Sequence, residues 1–131
     1  MREVTLEHVN VTVSDPLKTA ERLCALFDWR IRWQGDAIYA GRSIHVGAEG
    51  SYIALYRHPE NLADNANSYG TRGGLNHIGV VVDDLDDVET RVRAMGHEPH
   101  SHADYEPGRR FYFRDDDEIE FEVVSYAKAK G

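Results

Sequence analysis

Cysteine is nearly absent: Cys24 is the only one in 131 residues. No intrachain disulfide can form, and no cysteine-type zinc site can be built. A reducing, cytoplasmic setting is the expectation. Long apolar runs are also missing. The longest, Ile78 to Val82, is the length of a strand and falls far short of the roughly 18 residues that span a bilayer. The N-terminus, Met1-Arg2-Glu3-Val4, has no apolar stretch, so no secretory signal is expected. Positive charge is scarce. Fifteen Lys and Arg against 23 Asp and Glu leave a net charge of −8, whose field repels polyanions, so neither a nucleic acid nor an anionic membrane is expected as a partner. A small anion held by a local arginine stays compatible with that balance. There is no nucleophile elbow and no phosphate-binding glycine loop.

What is present is ordinary folded composition, with 41% hydrophobic and 29% charged residues. The length suits one domain at roughly 150 residues per domain. Seven histidines in an acidic chain draw attention to metal or acid–base chemistry.

An internal repeat organises the chain. Leu6-Glu7-His8-Val9-Asn10-Val11-Thr12-Val13-Ser14-Asp15 aligns with Leu75-Asn76-His77-Ile78-Gly79-Val80-Val81-Val82-Asp83-Asp84, 69 residues later. Each copy runs into a helical pattern. Ala20, Leu23, Cys24 and Phe27 mark one face of the first helix, and Leu85, Val88, Val92 and Met95 one face of the second. Asp15 with Pro16, and Asp84 with Asp86 and Asp87, are N-terminal signals. Three strands follow each helix, near Arg30–Trp33, Ile38–Val46 and Ser51–Arg57, then near Glu98–His102, Arg110–Arg114 and Ile119–Ser125. The expected fold is α+β: two βαβββ modules, about 1–58 and 74–131, in one domain. His58 to Gly73 is the joining loop, and the final Ala-Lys-Ala-Lys-Gly a frayed tail.

Strand alternation then separates the faces. Val9, Val11 and Val13, like Ile78, Val80 and Val82, point toward the helix of their module. His8 and His77 sit at the same register on the opposite face. A histidine repeated on a face where a core prefers aliphatics points to a shared metal or ligand site. On the last strand Glu122 shares a face with Glu120 and Val124. A carboxylate there costs several kcal/mol if buried alone, unless a cation or proton compensates it. Glu120 is assigned to solvent. Tyr112, ten residues before Glu122, should face it across a hairpin centred on Asp117. Tyr52 and Tyr56 share a face with Ala54 and are candidates to line a pocket. His97, His100 and His102 read as an exposed edge strand or a proton shuttle. Arg109, Arg110 and Arg114 are candidate anion contacts, and Cys24 faces the core.

These residues resemble the vicinal oxygen chelate superfamily, which groups glyoxalase I, bleomycin-resistance proteins, fosfomycin-modifying enzymes, methylmalonyl-CoA epimerase and extradiol dioxygenases. The resemblance rests on the tandem modules, the Leu-x-His-Val/Ile openings, and the ending Tyr112-Phe113-Arg114-Asp115-Asp116-Asp117-Glu118-Ile119-Glu120-Phe121-Glu122. That ending resembles the family's Y-F-x-D-P-D-G-I-x-F-E, departing from it at Asp116 and Glu118. The resemblance implies a cupped mixed sheet around a metal and substrate cleft, with helices outside and, commonly, a homodimer. It places the metal ligands on His8, His77 and Glu122. Where many relatives carry a fourth ligand, this chain has Ala54, which speaks against glyoxalase I and the four-ligand epimerases. Two histidines and one carboxylate suit Fe(II) or Mn(II), with zinc or nickel as alternatives. The implied function is a metal-dependent enzyme acting on a small oxygenated molecule, dioxygenase-like, with Tyr112 as the catalytic phenol. The alternatives are a fosfomycin-type transferase and a non-catalytic drug- or metabolite-binding module.

Overall fold

The first repeat forms β1 (His8–Thr12), whose residues alternate between exposed and half-buried as the pattern requires. Asp15 turns the chain into α1 (Pro16–Phe27) by accepting the Lys18 N–H at 3.2 Å. Pro16 occupies the first turn, where its missing N–H costs nothing. Asp28, in the left-handed conformation at φ 57°, closes the helix by donating its N–H to the Cys24 carbonyl. Then come β2 (Arg30–Ala37), a 3₁₀ turn at Ile38–Ala40, β3 (Gly41–Gly47) and β4 (Tyr52–Arg57). The strand expected over Ile38–Val46 is therefore interrupted at its start. Tyr39 and Ala40 take φ 59° and 57°, and this left-handed pair makes the tight turn from β2 to β3.

The second repeat builds the same order: β5 (Ile78–Val81), α2 (Leu85–Ala94), β6 (His100–Tyr105), β7 (Gly108–Arg114) and β8 (Glu120–Ser125). Asp84 accepts the Asp87 N–H at 3.1 Å. Asp86 and Asp87 lie in the first turn of α2, where the helix dipole favours negative charge. The computed structural model describes residues 3–60, 67–105 and 108–127. Most of the expected C-terminal tail and the middle of the joining loop lie outside them.

Contacts divide the chain into two compact units, Met1–Ala63 and Asp64–Gly131. Each holds one four-stranded mixed sheet, ordered β1-β4-β3-β2 in the first and β5-β8-β7-β6 in the second. The strand before the helix pairs in parallel with the last strand, and the remaining pairs are antiparallel. The helix covers one sheet face. In the first unit Leu23 and Leu26 of α1 are buried with Val46 and Leu55; Leu26, rather than the expected Phe27, completes the buried stripe. In the second unit Val92 is buried with Phe111, Phe113, Phe121 and Val123. The other sheet face carries His8, Tyr52 and His45 in the first unit and Tyr112, Glu120 and Glu122 in the second.

Candidate functional site

In the second unit, His77 precedes β5 and turns Nε2 toward Glu122 on β8, 3.2 Å from Oε2. The other oxygen of Glu122 accepts from Arg110 Nη1 at 2.8 Å, and both partners are 14% exposed. Arg110 thus holds the carboxylate so that one oxygen faces the imidazole. Tyr112 pairs with Glu122 across β7 and β8, as expected from the hairpin. Its ring meets His77 edge-on, with centroids 5.6 Å apart. On its other side it stacks on His100 of β6.

Glu120 is not at the surface, contrary to the sequence expectation. It is 8% exposed. The reason lies before β5, where the chain folds back and Tyr69 donates its hydroxyl to Glu120 Oε2 at 2.5 Å. The same hydroxyl is 3.4 Å from His77 Nδ1, and Arg114 Nη2 is 3.8 Å from the other Glu120 oxygen. The hydrogen bond to Glu120 pushes the Tyr69 phenol above its ordinary pKa, with desolvation adding to it. Tyr69 was not singled out from the sequence, because a tyrosine in a loop carries no periodic signal.

In the first unit, His8 opens β1 and donates Nδ1–H to Glu7 at 2.8 Å. That bond holds the Glu7 carboxyl below its usual range. It also assigns the proton to Nδ1 and leaves the Nε2 lone pair for another partner. Tyr52 stacks on His8, centroids 4.7 Å apart, and donates to Glu7 at 3.3 Å. Desolvation, then the Glu7 charge, raises the Tyr52 phenol. His45 stacks on the other face of Tyr52 at 4.5 Å, and Trp33 lies 4.9 Å beyond His45. Burial, and then the charge that His8 carries when protonated and that of Arg32, push His45 below its ordinary pKa. Tyr56 is buried, its hydroxyl donated to the Ile38 carbonyl at 2.7 Å, so its phenol serves the β2–β3 turn.

The pairing registers make the two units comparable position by position. Asn10 pairs with Ala54 and Gly79 with Glu122, so Ala54 occupies the register place of Glu122. In the same frame His45 corresponds to Tyr112, and Trp33 to His100. The sequence argument that the first module lacks a carboxylate at this place therefore holds at the level of strand register. The remaining histidines diverge. His102 pairs with Glu89 of α2, and His97 stacks on Phe113. Neither touches the His77 cluster through these contacts. Arg109 pairs with Asp86. Cys24 is half-buried, and its desolvation raises the thiol above its ordinary pKa.

The donor set can be tested against a divalent ion. A nitrogen and an oxygen bound to one ion through bonds of about 2.1 Å lie roughly 3.0–3.4 Å apart. His77 Nε2 and Glu122 Oε2 meet that spacing at 3.2 Å. A ligating imidazole usually has its other nitrogen held by a polar partner. Glu7 does this for His8, and Tyr69, bridging to Glu120, stands in that place for His77. His77 and Glu122 thus have the donor types and the spacing of two ligands to a divalent cation. Among the described residues no group of three His, Cys, Asp or Glu is placed to hold one.

Two mixed four-stranded sheets, each with one covering helix and a histidine at the start of its parallel strand, define a tandem βαβββ protein. A family model described as the Glyoxalase/Bleomycin resistance protein/Dioxygenase superfamily matches residues 5–123, and the chain belongs to that superfamily. No curated protein matches the sequence. Among solved structures, a glyoxylase/bleomycin resistance protein/dioxygenase domain from Frankia sp. EAN1pec is 25% identical. The alignment covers 95% of this chain and 98% of that one, at a TM-score of 0.80. The fosfomycin resistance protein FosX of Listeria monocytogenes, in complex with Mn(II) and sulfate, is 20% identical, with 95% and 93% covered and a TM-score of 0.69. FosX of Mesorhizobium loti is 23% identical, with 98% and 95% covered and a TM-score of 0.68.

Proposed function

We propose that the protein is a metal-dependent enzyme acting on a small oxygenated molecule. His8, His77 and Glu122 are the ligands of one divalent ion, Fe(II) or Mn(II) first, with zinc or nickel as alternatives. One chain supplies the three ligands, or two copies in a homodimer share them. The observation that carries this reading is the pair His77 Nε2 and Glu122 Oε2 at 3.2 Å, held by Arg110 from below. Once bound, the ion supplies Lewis acidity and open positions for substrate oxygens.

The chain's own residues do the rest. Arg110 fixes one Glu122 oxygen and so orients the other. Glu7 keeps the His8 proton on Nδ1, which keeps Nε2 a donor of electrons. Tyr69 and Glu120 do the same service on the Nδ1 side of His77. Tyr112, edge-on to His77, offers an O–H to an oxygen that gains charge during reaction. Ala54 adds no fourth ligand, so methylglyoxal–glutathione isomerisation should be negligible with nickel or zinc.

Among the chemistries open to this site, a dioxygenase-like role is the first reading, because a phenol stands beside the His77–Glu122 pair. A fosfomycin-type transfer is the second, favoured by the fold likeness to FosX proteins, one of them holding Mn(II). The test is metal content of protein purified without added metal or chelator. Wild type should carry about one ion per two modules. His8→Ala, His77→Ala and Glu122→Ala should each lose most of it while keeping their far-ultraviolet spectrum. Metal content unchanged in all three would overturn the ligand set. Loaded protein screened against catechols and epoxides then separates the two chemistries, and Tyr112→Phe should lower turnover by roughly 10²-fold without loss of metal. Tight binding of an intact ligand with no turnover would instead favour a sequestering module.

A further inference from the structure

The part of the joining loop that lies next to β5, residues 67–74, is built from its own turns. The Asn67 side chain accepts the Gly70 N–H at 3.0 Å, and the Asn67 carbonyl accepts the Thr71 hydroxyl at 2.7 Å. The Thr71 N–H reaches the Ser68 carbonyl at 3.3 Å, and the Gly74 N–H reaches the Thr71 carbonyl at 2.9 Å. Among the described residues, the hydrogen bonds that leave this segment both belong to the Tyr69 hydroxyl, one to Glu120 and one to His77. The Tyr69 residue is 61% exposed, and most of the segment is exposed with it, so burial of apolar surface adds little to the anchorage. A segment held by so few contacts opens locally at low free energy.

The direction of those two bonds matters. The Tyr69 hydroxyl has one proton, and its bond to the Glu120 carboxylate at 2.5 Å uses it. Arg114 Nη2, 3.8 Å from the other Glu120 oxygen, favours the carboxylate as acceptor. Toward His77 Nδ1, 3.4 Å away, the same phenol oxygen can then only accept. It accepts only if Nδ1 carries a proton. A neutral imidazole has one proton for its two nitrogens. At Nε2 the Glu122 carboxylate stands 3.2 Å away and competes for that proton. A nitrogen that binds a metal has no proton, so with an ion on Nε2 the proton sits on Nδ1, facing Tyr69. The bond from His77 to Tyr69 is therefore stronger with the ion than without it.

We propose that residues 67–74 form a strap coupled to the metal centre through Tyr69: an ion on His77 seats the strap, and the seated strap tightens the ion. The proposal rests on the reading of His77 as a metal ligand and deepens it by naming a regulation of that site. The coupling is reciprocal, because a single free energy links the two events.

The test uses full-length protein stripped of metal by a chelator, with Zn(II) as the probe. Backbone hydrogen exchange is read at Gly70, Thr71 and Gly74 with and without zinc. Zinc affinity is read by competition with a coloured chelator. Zinc should slow the three amides about tenfold. Tyr69→Phe keeps the ring and removes the hydroxyl. It should lower zinc affinity by about tenfold or more, and zinc should no longer slow the three amides. A purely structural Tyr69 would hold the segment equally with and without zinc. Bound zinc that leaves the wild-type amides unchanged would therefore overturn the coupling. So would zinc that slows the amides of Tyr69→Phe as much as those of wild type. His77→Ala separates this from the ligand reading. Loss of zinc affinity in His77→Ala beside wild-type affinity in Tyr69→Phe overturns the coupling alone. Full zinc affinity in His77→Ala, or no zinc binding by wild type, overturns the ligand reading and the coupling with it.

Discussion

Removing Arg110 is the most direct perturbation of the candidate centre. Its guanidinium and the Glu122 carboxylate are each 14% exposed and 2.8 Å apart. Deleting one partner of such a pair leaves a charge without compensation and costs roughly 3–5 kcal/mol. Here the lower end applies, because His77 stands 3.2 Å from the other Glu122 oxygen and takes part of the charge. For Arg110→Met in metal-free protein we expect a loss of about 3 kcal/mol, or on the order of 10 °C in Tm for a chain of this size. Arg110→Met with Glu122→Met removes both charges and should cost clearly less than either single change. Excess Mn(II) should recover part of the loss in Arg110→Met, since an ion on Glu122 replaces the missing cation. The assay is urea unfolding followed by circular dichroism and by tryptophan fluorescence. Both tryptophans belong to the first unit, so fluorescence reports that unit and circular dichroism reports both. A loss below about 1 kcal/mol, or a double variant as unstable as the sum of the singles, would refute the reasoning that Glu122 is a charge in need of compensation.

Two further outcomes follow from the titrating groups. Asp115, at the β7–β8 turn, has its carboxyl pushed up to about 6 by burial, against the N–H groups of Asp117 and Ile119 that each donate to it at 3.0 Å. Its folded pKa exceeds its unfolded value, so the proton-linked stability is full below about pH 4 and is lost as pH rises through about 6. Asp115→Asn keeps the acceptor oxygen and should be more stable than wild type at pH 7.5, by at most about 3 kcal/mol. It should match wild type near pH 4; equal pH profiles in thermal melts would contradict this. Tyr69 titrates above an ordinary phenol chiefly because of its bond to Glu120, so Glu120→Gln should bring one phenol down in an ultraviolet difference titration, and an unchanged curve would show the bond to be unimportant.

How far the sequence reached depends on the range of the interaction concerned. Helix starts at Asp15 and Asp84 are contacts between residues three apart, and both were readable. The duplication was readable because it is written in the chain itself. Its consequences in register followed from it: Ala54 at the place of Glu122, and Tyr112 opposite Glu122 in a hairpin only a few residues long. Alternation also put Glu120 and Glu122 on one face. What alternation does not say is whether that face is covered, and there the assignment of Glu120 to solvent failed.

The chain alone therefore determined the two modules, the strand faces, the capped helices and the candidates His8, His77, Glu122 and Tyr112, because periodicity and repetition are local properties of a sequence. Tertiary structure decided the rest. Tyr69 reaches Glu120 across 51 residues, and which arginine takes Glu122 depends on how β7 lies beside β8. The ring contacts from His8 through Tyr52 and His45 to Trp33 join four strands of the first repeat, with Tyr52 and His45 meeting on a diagonal two register positions apart. No window of sequence contains that arrangement. It arises from strand pairing and burial, whose energies depend on which residues meet rather than on which are neighbours in the chain.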